Sequence, residues 1–248
     1  MVSVTAIIQA RLGSTRLPGK SLRQIAGLPM LEHIIIRLKQ VPEIDLILLA
    51  IPESKLEYPL IELAHRLEIE VSQGPEEDVL GRFIKAAENI NTEHVVRVCG
   101  DNPLIDIQLL TSLIQSHLSE KADYTIPHNP VPLGSSCEII RFETLKKINE
   151  QAVDSKYREH VTTWFHDHPS SFRIKRVNVP LYLKDCAFRL TVDTEEDFQL
   201  MEEIFNNLPN SPDSPLSLQT AIEYLNNHPD TASINSDVQQ QKWWEEKL

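Results

Sequence analysis

Through the first half of the chain, short apolar and β-branched runs alternate with segments of helical spacing. Val2 to Ala10 is the first such run, and Asp45 to Ile51, Glu68 to Val71 and His94 to Val98 repeat it. Runs apolar at consecutive positions predict strands buried on both faces. Between the first two lies Pro29 to Lys39, with Met30, Leu31, Ile34, Ile35 and Leu38 on one side and Glu32, Arg37 and Lys39 on the other. That spacing predicts an amphipathic helix, with Pro29 suited to its first turn. Lys55 to Leu67 and Glu76 to Asn89 also read as helices. Strands and helices alternating at this interval predict an α/β fold of right-handed βαβ units, with a mostly parallel sheet covered on both faces.

The rhythm changes past about residue 120. Pro127, Pro130 and Pro132 interrupt the chain, strand-like pieces occur at Ser136 to Arg141 and Phe172 to Val179, and a helix is predicted from Ser155 to His166. We read residues 125–180 as an inserted α+β subdomain. A strand is predicted over Ala187 to Val192, then a helix opened by Thr194, whose Glu195, Glu196 and Asp197 suit a helix N-terminus. Residues 1–208 thus form the main domain. Residues 209–248 hold a Pro/Ser linker, a helix over Leu218 to Asn227 and a polar tail carrying Trp243 and Trp244, either loose or docked on a partner.

Composition narrows the function. With 248 residues, 41% apolar and 24% charged, the chain is an ordinary globular one, and its longest uninterrupted apolar run, Leu46 to Ile51, is far too short to span a bilayer. The net charge of −12 argues against wrapping nucleic acid or lying on an anionic membrane. The sign is not uniform: residues 1–40 carry +5 and the remainder −17, a pattern expected for a small anionic ligand. Cys99, Cys137 and Cys186 have no metal-binding spacing, and no signal peptide is visible, so a reduced cytoplasmic location is expected. All seven glycines lie in the first 134 residues, where backbone is expected to turn sharply or approach a ligand closely.

Three segments carry candidate chemistry. The first, Gln9-Ala-Arg-Leu-Gly-Ser-Thr-Arg-Leu-Pro-Gly-Lys20, follows the first strand, the usual place for phosphate in an open α/β sheet. Arg11, Arg16 and Lys20 supply charge and Gly13 and Gly19 supply accessible N–H groups. It is not a P-loop, because Gly13 and Gly19 enclose five residues, Pro18 among them, instead of four. The second, Val95-Val-Arg-Val-Cys-Gly-Asp-Asn-Pro-Leu-Ile-Asp106, ends a strand in a carboxylate, Asp101, suited to a divalent cation or simply to a turn. The third, Arg189-Leu-Thr-Val-Asp-Thr-Glu-Glu-Asp-Phe198, offers Asp193 in a similar position.

Taken together, these segments resemble the cytidylyltransferases that make CMP-activated acidic sugars, the group of CMP-sialic acid and CMP-Kdo synthetases. The likeness is greatest to the SpsF-like branch of spore coat polysaccharide proteins. It covers residues 2 to about 205, and Gln73-Gly-Pro-Glu-Glu-Asp-Val-Leu-Gly-Arg-Phe83 is similar to a further element of that branch. The resemblance implies a three-layer Rossmann-like nucleotide-diphospho-sugar transferase fold. It implies nucleotide contacts from Ala10, Arg11, Gly13, Ser14, Thr15, Arg16, Lys20, Asp78, Arg82 and Arg97. Arg11, Lys20 and Asp101 would be catalytic, and Asp101 and Asp193 would hold Mg²⁺. Glu138, Tyr157, Arg158, Glu159 and His160 match segments expected at the acceptor side, although Arg158 and Glu159 could instead pair on a helix and His160 could be a core histidine. The chain departs from the sialate and Kdo synthetases at Cys99, where they carry a glutamine that helps read the base.

The implied reaction is transfer of CMP from CTP to an acidic sugar or related anionic acceptor, with release of pyrophosphate, for surface polysaccharide or glycoconjugate biosynthesis, in a homodimer joined through residues 125–180. Two other readings stay open at this point. A nucleotide-sugar glycosyltransferase of similar fold would ordinarily show Asp-x-Asp, which this chain lacks. A non-catalytic nucleotide-binding relative would be expected to have lost the acid pair, and both Asp101 and Asp193 are present.

Overall fold

A computed structural model describes residues 3–240; Trp243 and Trp244 lie outside the described residues. The elements follow in chain order. β1 is Val4–Gln9, and a small antiparallel hairpin follows, β2 Gln24–Ile25 and β3 Leu28–Pro29. Next come α1 Met30–Lys39, β4 Leu46–Pro52, α2 Tyr58–Arg66, β5 Glu70–Gly74, α3 Val79–Asn89, β6 His94–Cys99 and α4 Ile107–Ser119. The second half contains β7 Tyr124–Pro127, β8 Glu138–Arg141, α5 Phe142–Gln151, α6 Ser155–Glu159, α7 Thr163–Asp167, β9 Ile174–Val177, α8 Glu195–Asn207, α9 Leu218–Asn227 and α10 Pro229–Ala232.

Seven strands form one sheet in the order β5-β4-β1-β6-β8-β7-β9. Only β8 runs against the others: it is antiparallel to both β6 and β7, while the β1, β4, β5 and β6 contacts and the β7–β9 contact are parallel. The expected mostly parallel mixed sheet is therefore present. Alternation along β1 explains the layering: Val4, Ala6 and Ile8 enter the core beneath α1, α2, α4, α8 and α9, whereas Ile7 faces α3, α5 and Phe165 of α7. Helices thus cover both faces, giving three layers. Among the described residues, no helix is long and apolar enough to cross a membrane.

Several local expectations change. Residues 125–180 supply strands to the main sheet, because β8 pairs directly with β6 and carries β7 and β9 beyond it. The helix predicted from Ser155 to His166 is split after Glu159. There Val161 is buried and the Thr162 hydroxyl donates to Glu138 at 3.2 Å, which the β-branched run Val161–Thr163 permits more readily outside a helix. Ala187 to Val192 is not a strand: Leu190 N–H donates to Leu133 at 2.7 Å and Val192 N–H to Asp101 at 2.8 Å, so the segment crosses two partners instead of lying along one. Pro29 caps α1 from outside. The helix α4, unanticipated from the sequence, starts at Asp106, whose carboxylate accepts from Leu109 N–H at 2.7 Å.

Candidate active site

The topology reverses between β1 and β6, where the connection to β4 leaves one side and β6 lies on the other, and the ends of both strands open on one crevice. Gln9 and Cys99 are partners at those ends, and Gly100 N–H donates to Gln9 at 2.8 Å. A Cβ on Gly100 would stand 2.8 Å from both the Gln9 carbonyl oxygen and the Ala10 Cβ, so glycine is what lets the two strand ends meet. Between β1 and the hairpin, Leu12 and Leu17 are buried while Gly13 to Arg16 rise between them. The loop is tied at both ends. Leu12 N–H donates to the buried carboxylate of Glu57, 3.0 and 3.2 Å from its two oxygens. Gly19, with φ at 70°, donates to Leu12 at 3.0 Å.

Lys20 points from this loop into the crevice. Its Nζ donates to the Val192 carbonyl at 2.6 Å, Asp193 Oδ1 at 3.1 Å and Asp101 Oδ2 at 3.2 Å. Arg16 reaches the same Asp193 oxygen at 3.0 Å, and Arg189 holds the other oxygen at 2.8 Å. Burial pushes the Asp193 carboxyl up, but Lys20, Arg16 and Arg189 outweigh it and hold the group below the ordinary aspartate range. The acid is therefore ionised at neutral pH.

The opposite wall comes from α3, β6 and α6. Arg82 is buried, and its Nη1 donates to the Pro75 and Glu76 carbonyls at 2.7 and 2.6 Å. Arg97 donates to Glu138 at 2.6 Å, and Glu138 also accepts from Tyr124 and Thr162. The Nε atoms of both arginines are buried without a hydrogen-bond partner. Burial pushes the Cys99 thiol up to about 11, so it stays protonated at the strand end. Arg82 and Arg97 line, with Lys20, Asp101, Asp193 and Glu159 of α6, a polar cavity of about 620 Å³. A second cavity of about 760 Å³ lies behind Arg189, against the C-terminal segment, and lacks this convergence of charge.

Twelve of the residues singled out from sequence line the polar cavity: Ala10, Arg11, Ser14, Thr15, Arg16, Lys20, Arg82, Arg97, Asp101, Glu159, His160 and Asp193. Five do not. Gly13 lies outside the lining, where a Cβ in its place would meet Glu76 and Leu56 at 3.8 and 3.9 Å. Asp78 caps α3 by accepting from Gly81 N–H at 2.8 Å and pairs with Arg158 at 2.5 Å. Glu138 lies beneath Arg97, and Tyr157 turns to Asp167, 2.8 Å away, and to the ring of Trp164. Glu76, Glu77 and Ser155 also line the cavity, though the sequence reading passed over them. Glu76 lies inside the segment already compared with the SpsF-like branch and pairs with Arg11 at 3.2 Å.

A profile described as Cytidylyltransferase matches residues 5–230. The chain belongs to the cytidylyltransferase family. It is accordingly a nucleotidyltransferase. Among its relatives, the spore coat polysaccharide biosynthesis protein SpsF of Bacillus subtilis is 36% identical over 238 residues, 94% of this chain and 98% of that protein. A solved cytidylyltransferase from Leptospira borgpetersenii superposes with a TM-score of 0.86 at 25% identity, covering 94% of this chain and 97% of that one. A CMP:2-keto-3-deoxy-manno-octonic acid synthetase solved with CTP shares the fold, with a TM-score of 0.66 at 16% identity over 83% of this chain and 99% of that one.

Whether a cytidylyltransferase site of this make-up suits a divalent cation can be judged from its donors. Among the described residues, no cluster of three His, Cys, Asp or Glu side chains could hold a metal alone. Two carboxylates nevertheless converge on one cation, the Lys20 ammonium. Mg²⁺ characteristically takes one or two carboxylates and completes its shell with water and substrate phosphates. The donor set fits that ion in the presence of a phosphorylated substrate.

Proposed function

We propose that this enzyme transfers CMP from CTP to an acidic sugar or related anionic acceptor, releasing pyrophosphate, in the synthesis of surface polysaccharide. The observation that carries the reading is Lys20 held between Asp101 and Asp193 at the mouth of a loop that also presents Arg11 and Arg16. Arg11, Arg16 and Lys20 neutralise the β- and γ-phosphates and stabilise the leaving pyrophosphate, while Ser14, Thr15 and the backbone at Ala10 and Gly13 orient the nucleotide. The acceptor hydroxyl oxygen forms a bond to the α-phosphorus as the bond from that phosphorus to the bridging oxygen of pyrophosphate breaks. One of the two carboxylates, Asp101 or Asp193, accepts the acceptor proton.

Asp101 and Asp193 would hold Mg²⁺, which when bound neutralises phosphate charge and polarises the α-phosphate. Arg82 and Arg97, each buried with an unpartnered Nε, are the anion-binding groups of the opposite wall. Glu159 and His160 face the acceptor from α6 and the turn after it, and Glu138 keeps Arg97 extended. The remaining expected acceptor residues, Tyr157 and Arg158, support α6 from outside the cavity. Residues 125–180 join two copies into a dimer; a monomer by light scattering at assay concentration would count against this.

Pyrophosphate release is to be measured with CTP, ATP, GTP and UTP over a panel of acidic sugars. CTP-dependent release with one acceptor is expected, and Asp101→Asn is expected to abolish most of it with an unchanged circular dichroism spectrum. Near-normal turnover in Asp101→Asn would remove the assignment of the acid pair. Release only from a nucleotide sugar with a second sugar would point to a glycosyltransferase instead.

A further inference from the structure

The family profile ends at residue 230, yet the chain beyond it reaches the back of the acid pair. Asn235 is buried, 4% exposed, and its Nδ2 donates to Asp197 Oδ1 at 2.8 Å and to the Arg189 carbonyl at 3.0 Å. Asp197 is completely buried, so its carboxylate depends on donors from the protein. Arg189 supplies two, Nε to Oδ1 at 2.8 Å and Nη2 to Oδ2 at 3.1 Å, and the backbone N–H groups of Asp193 and Thr194 supply two more at 2.9 and 3.1 Å. The same Arg189 Nη2 donates to Asp193 Oδ2 at 2.8 Å, while its Nη1 is taken by Gln240. With one oxygen held from behind, Asp193 presents the other to Lys20 and Arg16 in the cavity.

We propose that Asn235 is a positioning residue for the nucleotidyl-transfer site, acting through Asp197 and Arg189 on the carboxylate of Asp193. Removing its amide takes a donor from Asp197 Oδ1 and the partner from the Arg189 carbonyl. Arg189 then has to compensate Asp197 more fully and gives up Asp193. The aspartate loses its fixed rotation, and a cation bound between it and Asp101 loses one well-oriented ligand. Residues that orient a metal ligand in this manner typically change metal affinity or activity by about 10- to 100-fold when replaced. Residues 231–240 are on this account a working part of the enzyme.

The inference rests on the reading of Asp193 as a cation ligand, and the experiment separates the two. Asn235→Ala and the isosteric Asn235→Asp are compared with wild type for the Mg²⁺ concentration giving half-maximal turnover, for kcat at saturating Mg²⁺ and for direct Mn²⁺ binding by electron paramagnetic resonance. About a tenfold rise in the half-saturating Mg²⁺ concentration is expected, with a parallel loss of Mn²⁺ affinity and kcat within about threefold. Asn235→Ser, which leaves a hydroxyl in place of the amide and adds no charge, serves if either variant folds poorly. A crystal structure of the variant gives a readout independent of the metal: Arg189 Nη2 is expected to leave Asp193 Oδ2. Retention of that contact near its present 2.8 Å, or an unchanged Mg²⁺ requirement where Asp193→Asn alters it, overturns the proposal. If Asp193→Asn itself leaves the requirement unaltered, the metal reading of Asp193 fails, and the Arg189 contact in the crystal still decides the role of Asn235.

Discussion

The ammonium of Lys20 lies 3.1 Å from Asp193 and 3.2 Å from Asp101, so one cation holds together two carboxylates brought in from segments 92 residues apart. Replacing it with methionine leaves two acids facing each other across the cavity and removes the positive charge between them. Lys20→Met is expected to lower kcat/KM for CTP by about 10²- to 10³-fold, as loss of a preorganised charge typically does. Steady-state kinetics check this. A loss under threefold would mean that Lys20 only stabilises the folded acid pair.

Arg158 links α6 to the start of α3 through Asp78 at 2.5 Å and also reaches Asn149 at 2.7 Å, all outside the cavity. Its removal should act on stability more than on acceptor binding. Both side chains are under one-third exposed, so Arg158→Ala is expected to cost about 1 kcal/mol, near 2 to 4 °C in Tm for a chain of this length. Calorimetry with acceptor KM in parallel tests it, and a large rise in KM without a fall in Tm would restore a direct acceptor role.

Glu57 reaches the loop after β1 from the turn after β4, accepting from Leu12 N–H with both oxygens. Burial pushes its carboxyl above the ordinary glutamate range, while the Leu12 hydrogen bond pulls it down. Glu57→Ala should free the loop, raising KM for CTP about tenfold with kcat changed less than threefold, while Glu57→Gln keeps an acceptor and much of the affinity. KM values equal to wild type in both variants would show that the latch does not matter.

A histidine pair is buried on the far side of β6. His94 Nδ1 lies 2.9 Å from His117 Nε2, and His117 Nδ1 lies 2.8 Å from the Thr125 hydroxyl. Burial, His94 and Arg141 push His117 down to about 3, and burial with Arg141 lowers His94 as well. The folded state therefore keeps His117 neutral where the unfolded chain takes up a proton. Its contribution is intact above pH 6.5 and is lost as the pH falls from there toward 3, by roughly 1.4 kcal/mol per pH unit at most. Urea unfolding from pH 8 to 5 should show a shallower fall for His117→Gln than for wild type. Parallel curves would dismiss the pair as an acid-sensitive element.

Local pattern by itself determined much of this protein. The alternation of apolar runs and amphipathic segments revealed β1, β4, β6, α1 and α3, because a strand or helix that must bury one face records its period in sequence. Thr194 and Asp197 announced the start of α8, and the two form a capping box there. The loop after β1 stood out by its clustered cations and glycines, and Asp101 and Asp193 stood out through the resemblance of their segments to the SpsF-like branch. Tertiary structure alone decided which charges meet. Tyr157 and Arg158 stand in the same short helix as Glu159, but helix rotation turns them to Asp167 and Asp78 while Glu159 lines the cavity. Asn235 reaches Asp197 across 38 residues, and Glu57 reaches Leu12 across 45. A chain shows no period for such pairs, since they depend on how sheet order and helix packing bring distant segments to the same point.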